Sequence, residues 1–247
     1  MLSARKNRGV KKMKIAIMQP YFFPYIGYWQ LLHAADLFVV GDNVHYIKQG
    51  WINRNRILGE GNQPQNFGIE VSHASCNRLI SETSRVVNRK QAEYLCRVLN
   101  FYYGQAPHYS EAMEVIKPIL LDEEPDLTRY LVKQLRTVTD YLGINTKIKL
   151  LSEVSDRWEC HSPEIIRRTC EHFGITDYIN PSGAGMDYYH KDEFHEKGIN
   201  LSFLRRNEDI RYKQRTDDFI SDLSIIDLMM YCSHNELHDI LNRYHFL

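Results

Sequence analysis

The chain has 247 residues, 31 Lys and Arg against 31 Asp and Glu, and a hydrophobic share of 43 %. This suits one large or two small globular domains whose core needs neither disulfides nor metal. Zero net charge argues against general nucleic-acid binding but leaves room for a local basic pocket, and no run approaches the ~18 consecutive apolar residues of a membrane span.

Residues 1–13 are basic and lack the apolar segment of an export signal. They read as a flexible extension, or as sequence ahead of a natural start at Met13. Residues 14–247 read as one α/β domain. Residues 14–19, KIAIMQ, form a short apolar run stopped by Pro20, which predicts a buried strand. Pro20 and Pro24 force an extended loop between them. Beyond it Ile26, Trp29, Leu32 and Ala35 share one helical face. Residues 37–40 are a second buried strand, and the short strand–helix–strand unit suits a right-handed parallel crossover.

Residues 41–58 place Val44, Tyr46, Trp51 and Ile52 among polar residues, with a turn signal at Gln49-Gly50. The pattern predicts a hairpin or an extended excursion. Residues 66–71 read as a strand. A helical insertion follows at about 87–142, with helices over 87–103, 111–121 and 127–142. Pro118 and Pro125 are expected to shorten or kink the middle one. Alternation then resumes: strand 147–151, a helix opened by Ser162-Pro163 and closed by Gly174, strand 177–180, short helix 191–196, strand 200–204, and helices 225–231 and 235–244. This order implies an α/β fold, a mostly parallel sheet with flanking helices of the Rossmann-like kind. In such sheets ligands collect beyond the carboxyl ends of the strands, where the topology switches.

Four constellations lie in the loops. Gln19-Pro-Tyr-Phe-Phe-Pro-Tyr-Ile-Gly-Tyr28 opens the first helix, whose free N–H groups favour an anion. Gln19, Tyr25, Gly27 and Tyr28 are its candidate ligand contacts. Tyr25-Ile-Gly-Tyr28 stands where nucleotidylyltransferases carry His-x-Gly-His, although a neutral phenol cannot replace a charged imidazole. The structural alternative is a well-packed aromatic helix start.

The second constellation spans residues 41–56. Asp42 follows directly on a strand and is the candidate general base. Lys48, Arg54 and Arg56 supply positive charge for phosphate, Trp51 can stack on a base or sugar, and Asn53 lies among them. A solvated hairpin face is the alternative.

Third, Asn180-Pro-Ser-Gly-Ala-Gly185 offers Gly183 and Gly185, which free the backbone to cradle an anion or to turn tightly. The loop is not a P-loop and lacks the third glycine of a dinucleotide fingerprint. Fourth, Ser224 reads as a helix cap, with Asp227 completing a capping-box-like pattern. Tyr212 and Gln214 have no such structural explanation and join the candidate binding residues.

The five cysteines are odd in number and scattered, which implies no disulfide framework and a cytoplasmic chain with reduced thiols. Cys160-His161 and the His190/His195 pair lack metal-ligand spacing, so no metal is expected. Sixteen Tyr, ten Phe and three Trp suit both cores and sugar or base platforms.

The 19–28 motif, Trp51-Ile-Asn-Arg-Asn-Arg-Ile57, Tyr178-Ile-Asn-Pro-Ser-Gly-Ala-Gly185, Gly198-Ile-Asn-Leu-Ser-Phe203 and Leu223-Ser-Ile-Ile-Asp-Leu228 together resemble the WbqC-like family, from Met13 to about Ser233. Ser221-Asp222 stands where that family often has proline, and Cys232-Ser233 where it often has glycine. The resemblance implies a bacterial protein of O-antigen-type surface-polysaccharide biosynthesis, with an acyl or aminoacyl (for example glycyl) transfer onto a nucleotide-activated amino sugar. Its implied partners are the nucleotide sugar and an activated donor: an adenylate made from ATP, a thioester or an aminoacyl-tRNA, the last disfavoured by the neutral composition. A nucleotidylyltransferase and a non-catalytic nucleotide-sugar-binding or scaffold protein are the alternatives.

Overall fold

The computed structural model describes residues 12–154 and 162–247. Residues 1–11 of the basic extension and the Cys160-His161 pair lie outside the described residues. In chain order the elements are β1 (Lys14–Met18), α1 (Ile26–Ala34), β2 (Leu37–Val40), β3 (Arg54–Leu58), β4 (Pro64–Gly68), β5 (Val71–Ser72) and β6 (Ser84–Arg85). Then come α2 (Arg89–Tyr103), α3 (Tyr109–Leu120), α4 (Leu127–Tyr141), β7 (Lys147–Leu150), α5 (Ser162–Phe173) and β8 (Asp177–Pro181). The chain continues through α6 (Ala184–Tyr188), α7 (Lys191–His195), β9 (Asn200–Arg206), α8 (Ile225–Tyr231), α9 (His234–Leu241) and β10 (Tyr244–Phe246).

The main sheet has the order β10-β9-β8-β1-β2-β7. Every pairing in it is parallel except that of β10 with β9. From β1 the chain first winds outward through β2 and β7, then returns to the far side of β1 through β8 and β9. The strand order therefore reverses between β1 and β8, which makes the ends of those two strands the topological switch point of a Rossmann-like fold.

Strands buried on both faces read as unbroken apolar runs, and all four residues of β2 are buried. Alternate side chains feed two cores. Ile15, Val39, Tyr178 and Leu201 meet Ile166 and Cys170 of α5 and Phe194 of α7 on one face. Ala16, Phe38, Val40 and Ile179 belong to the larger core on the other face, with residues of α1, α8, α9 and the insertion. One apolar stripe was expected on α1, yet every residue from Ile26 to Leu32 is buried. The helix packs on β1, β8, β9 and α9, so it has little solvent side.

The structure moves three predicted features. The hairpin expected within 41–58 starts later: residues 41–53 are irregular, and β3 pairs antiparallel with β4. Only the Gln49-Gly50 turn lies where expected, with Gln49 at φ 61°. Pro118 sits inside α3, which ends two residues later at Leu120, and Pro125 lies beyond it. The last helix ends at Leu241 and gives way to β10, whose Tyr-His-Phe run prefers an extended backbone.

Candidate functional site

The loop after β1 is held rigidly. Phe23 has φ 39°, in the left-handed region where a bulky residue is strained by about 1–3 kcal/mol. Its surroundings over-determine that conformation. Phe23 N–H donates to Gln134 Oε1 at 2.9 Å, and its carbonyl accepts from Ser224 Oγ at 2.7 Å. Phe22 N–H donates to Trp51 O at 3.0 Å, and its carbonyl accepts from Asn55 Nδ2 at 3.2 Å. The carbonyl of Pro24 takes Trp29 Nε1–H at 2.9 Å and Ile225 N–H at 3.0 Å. With the Phe22 and Phe23 rings fully buried, the loop is a fixed wall.

Behind that wall, at the carboxyl ends of β8 and β9, lies a cavity of about 610 Å³. Its lining includes Tyr21, Tyr25, Gly27, Trp51, Asn55 and Arg56, together with Ser182, Gly183, Arg205, Arg206, Glu208 and Asp222. Three guanidinium groups and two carboxylates thus share the cavity. Arg206 is paired with Asp222 Oδ1 at 3.1 Å. Arg56 donates from one terminal nitrogen to Asp222 O at 3.4 Å and lies 5.5 Å from the Trp51 ring centroid. Its Nε–H is enclosed and has no protein acceptor among the described residues. Burial pushes the Tyr25 phenol up, Asp222 adds to the shift and Arg206 opposes it, so this hydroxyl stays a proton donor. Tyr21 is pushed up in the same way, by burial and then by Tyr25.

Gly27 has a structural reason to be glycine. A Cβ there would stand 2.6 Å from the Tyr25 ring, so the missing side chain makes room for that phenol. Gly183, at φ 109°, adopts a backbone that other residues rarely reach. Gly185 does not line the cavity; a Cβ on it would meet Asn180 Nδ2 at 2.0 Å.

A second cavity, of about 250 Å³, lies on the opposite side of the switch point. Gln19, Gly41, Asn180, Ser162 and Tyr189 line it together with apolar side chains, and Tyr21 lines both cavities.

The remaining sequence candidates sit elsewhere. Asp42 is 1 % exposed and accepts from Ser152 N–H at 3.0 Å and Ser152 Oγ–H at 2.6 Å, tying the end of β2 to the turn after β7. Tyr28 is buried and donates to Gln19 O at 3.0 Å. Asn53 accepts from Tyr46 OH at 2.8 Å and donates to Ile69 O at 2.9 Å. Arg54 closes the preceding turn on Gln49 O at 2.5 Å and Gly50 O at 3.3 Å. Lys48 is exposed and lines neither cavity.

Tyr212 and Gln214 serve a buried carboxylate. Asp227 accepts from Tyr103 OH at 2.8 Å, Tyr212 OH at 2.7 Å and Gln214 Nε2 at 2.9 Å. The Tyr103 oxygen in turn accepts from Leu58 N–H at 2.8 Å. Burial pushes Asp227 up, while the three donors pull it back. The capping-box reading of Asp227 is corrected here. Ser224 does cap α8, accepting from Ile226 N–H at 3.3 Å, but the reciprocal box belongs to Ser233 and Glu236 of α9. The signal that could have found Asp227 is its place in Ile225-Ile-Asp-Leu-Met-Met230, a charge in an otherwise apolar helix.

Sequence reasoning also missed Arg205, Arg206, Glu208 and Asp222. The first three lie at or just after the end of a predicted strand, a position that draws ligands, but they carry no motif.

Among the described residues no His, Cys, Asp and Glu cluster could hold a metal ion, and no helix is long and apolar enough to cross a membrane. The chain is similar to the uncharacterized protein Rv1507c of Mycobacterium tuberculosis (strain ATCC 25618 / H37Rv), 28 % identical over 222 residues that cover 87 % of this chain and 92 % of that protein. No solved structure matches the chain significantly. The model of the WbqC-like protein family matches residues 19–239, which hold four of the six strands of the main sheet and most of the lining of both cavities, and the chain belongs to that family.

Proposed function

We propose that the 610 Å³ cavity binds a nucleotide-activated amino sugar and that the protein transfers an acyl or aminoacyl group to the sugar amine, in the biosynthesis of an O-antigen-type surface polysaccharide. The observation that carries this reading is Arg56: its Nε–H is enclosed without a protein acceptor among the described residues, beside Trp51 and in the same cavity as Arg205 and Gly183. An enclosed guanidinium donor left open calls for an anionic acceptor, and phosphate matches its fork. Trp51 offers an apolar face to a sugar ring. The carboxylates of Glu208 and Asp222 suit its hydroxyl and amine groups.

In the transfer, the amine nitrogen bonds to the donor's carbonyl carbon, the bond from that carbon to the leaving group breaks, and the amine loses one proton. Glu208, on the cavity wall, is the better-placed acceptor for that proton. Asp42 would first have to release both Ser152 hydrogen bonds. The chemistry then rests chiefly on holding the two partners together.

The test is to incubate the purified protein with nucleotide amino sugars and, in turn, ATP with glycine, or acyl thioesters. A product heavier by the transferred group supports the transferase. Tight binding without product under every donor would identify a binding or scaffold protein instead, and no nucleotide-sugar binding at all would overturn the proposal.

A further inference from the structure

We infer that the 250 Å³ cavity is a nucleobase site, in which Gln19 Oε1 accepts a hydrogen bond from an N–H on the edge of the base. The inference rests on the reading of the neighbouring cavity as a site for a nucleotide-linked ligand.

Three observations lead there. The first is an unfilled acceptor. Gln19 lines this cavity, and its Nε2 donates to His45 O at 3.3 Å. Its Oε1 is enclosed and has no hydrogen-bond partner among the described residues. The other amide lining the cavity is satisfied: Asn180 Oδ1 accepts from Tyr178 OH at 2.8 Å, and Nδ2 donates to Pro181 O at 3.1 Å. An enclosed carbonyl oxygen without a donor is costly in an isolated protein, and a ligand N–H removes the cost. A purely aliphatic occupant cannot.

The second observation is shape. The walls are mostly apolar, from Ile17 and Met18 of β1, Leu151 after β7 and Ile165 and Ile166 of α5, with hydroxyls at Ser162 and Tyr189. The volume falls below the range of about 300–1,000 Å³ typical for drug-sized ligands. It suits a flat ring with one polar edge better than a flexible or highly charged group.

The third is placement. The two cavities flank the carboxyl ends of β1 and β8, and Tyr21 lines both. A nucleotide lying across a switch point extends its base to one side and its phosphate-linked part to the other. Here the apolar cavity with the open amide lies on one side, and Arg56 with Arg205 on the other.

The same chemistry has two sources, the base of the nucleotide sugar itself or the base of an adenylate donor. Calorimetry with UMP, CMP and AMP, and with ribose 5-phosphate as the base-free probe, tests the site. At least one mononucleotide should bind more tightly than ribose 5-phosphate. Gln19→Leu should weaken that mononucleotide about five- to tenfold, the value of one hydrogen bond, and leave ribose 5-phosphate unchanged. Ile165→Trp, which fills the cavity, should reduce mononucleotide affinity to that of ribose 5-phosphate; retained ribose 5-phosphate binding shows that either variant is folded.

Mononucleotides that bind both variants as they bind wild type would overturn the base site, as would a wild type that does not distinguish mononucleotide from ribose 5-phosphate. Either result leaves the phosphate-binding reading standing. Arg56→Ala reports on that reading separately: unchanged affinity for every probe would remove the phosphate contact and spare the base site. Competition assigns the source. A nucleotide sugar that displaces the mononucleotide supplies its own base to the cavity, whereas AMP bound alongside a nucleotide sugar comes from the donor; both outcomes uphold the site.

Discussion

Arg56 and Asp227 are both charged groups largely withdrawn from water, and they differ in what remains unmade. Asp227 has two phenols and an amide on its carboxylate, and one of those phenols also caps a backbone N–H. The network is closed and leaves little for a ligand to do. Among the described residues Arg56 reaches a carbonyl at 3.4 Å and the Trp51 ring, and keeps an enclosed N–H without an acceptor on the wall of the large cavity. Burial alone therefore does not separate structural residues from candidate ligand contacts in this molecule. Residual hydrogen-bonding capacity counts where it meets a cavity: Gln30 Oε1, Thr128 Oγ1 and Tyr130 OH are also without a partner among the described residues, but they line neither cavity.

The largest effect should come from breaking the closed network. Asp227→Ala strands the Tyr103 and Tyr212 hydroxyls, at about 1–3 kcal/mol each, and a loss of that size should be plain in denaturant melts. The pH dependence of wild type has a definite sign. Asp227 binds its proton more tightly folded than unfolded, because burial raises it above the ordinary value of 3.8. Between 3.8 and the raised folded value the native state holds more proton than the unfolded state, so this group's contribution to stability falls as pH rises through that window and grows as pH is lowered. Stability measured against Asp227→Asn, which cannot titrate, should therefore favour wild type more at the acid end. A flat difference across the window would show that Asp227 titrates as an ordinary carboxylate.

Next in size is Arg56→Ala. It should cost about 1.5–3 kcal/mol of nucleotide-sugar affinity, the value of a charge-assisted contact, with little change in melting temperature. If instead the melt drops and affinity holds, Arg56 belongs with Asp227 on the structural side. Asp42→Asn should come third, lowering stability by about 1 kcal/mol through its contacts with Ser152 and leaving kcat nearly intact. Ser152→Ala should match it in a melt. A catalytic Asp42 would show the opposite split, normal stability with kcat reduced about 10²–10⁴-fold. The smallest effect belongs to Lys48→Ala, exposed and away from both cavities, which should stay within about 0.5 kcal/mol in stability and unchanged in ligand affinity by calorimetry.

The same distinction explains what could be read in advance. Hydrophobic runs such as Leu37-Phe-Val-Val40 and the helices between them announce a parallel sheet, because burial on both faces leaves no other pattern. Once the sheet is known, the loops after its strands point to Gln19, Tyr25 and Gly183. β10 was too short to show a period, and Pro64 at the start of β4 hid the hairpin partner of Arg54 to Leu58. For single side chains the limit is different. Asn53, Arg54, Tyr212 and Gln214 have the chemistry of ligand contacts, and only their partners show that it is already used. Arg206 on β9 meets Arg56 on β3 through Asp222, which pairs with the one and accepts from the other, a proximity that no local spacing encodes.

The wall of the large cavity is made by residues that follow the first strand, yet it is fastened by Ser224 and Ile225 near the other end of the chain, through Phe23 O and Pro24 O. Its strained Phe23 has no local reason to hold its conformation. During synthesis the wall of the large cavity must therefore mature late: the sheet can begin to pair as its strands emerge, but the loop after β1 gains its last anchors only once α8 has left the ribosome and docked. Partly made or truncated chains lacking α8 would carry the parts of the pocket without its shape.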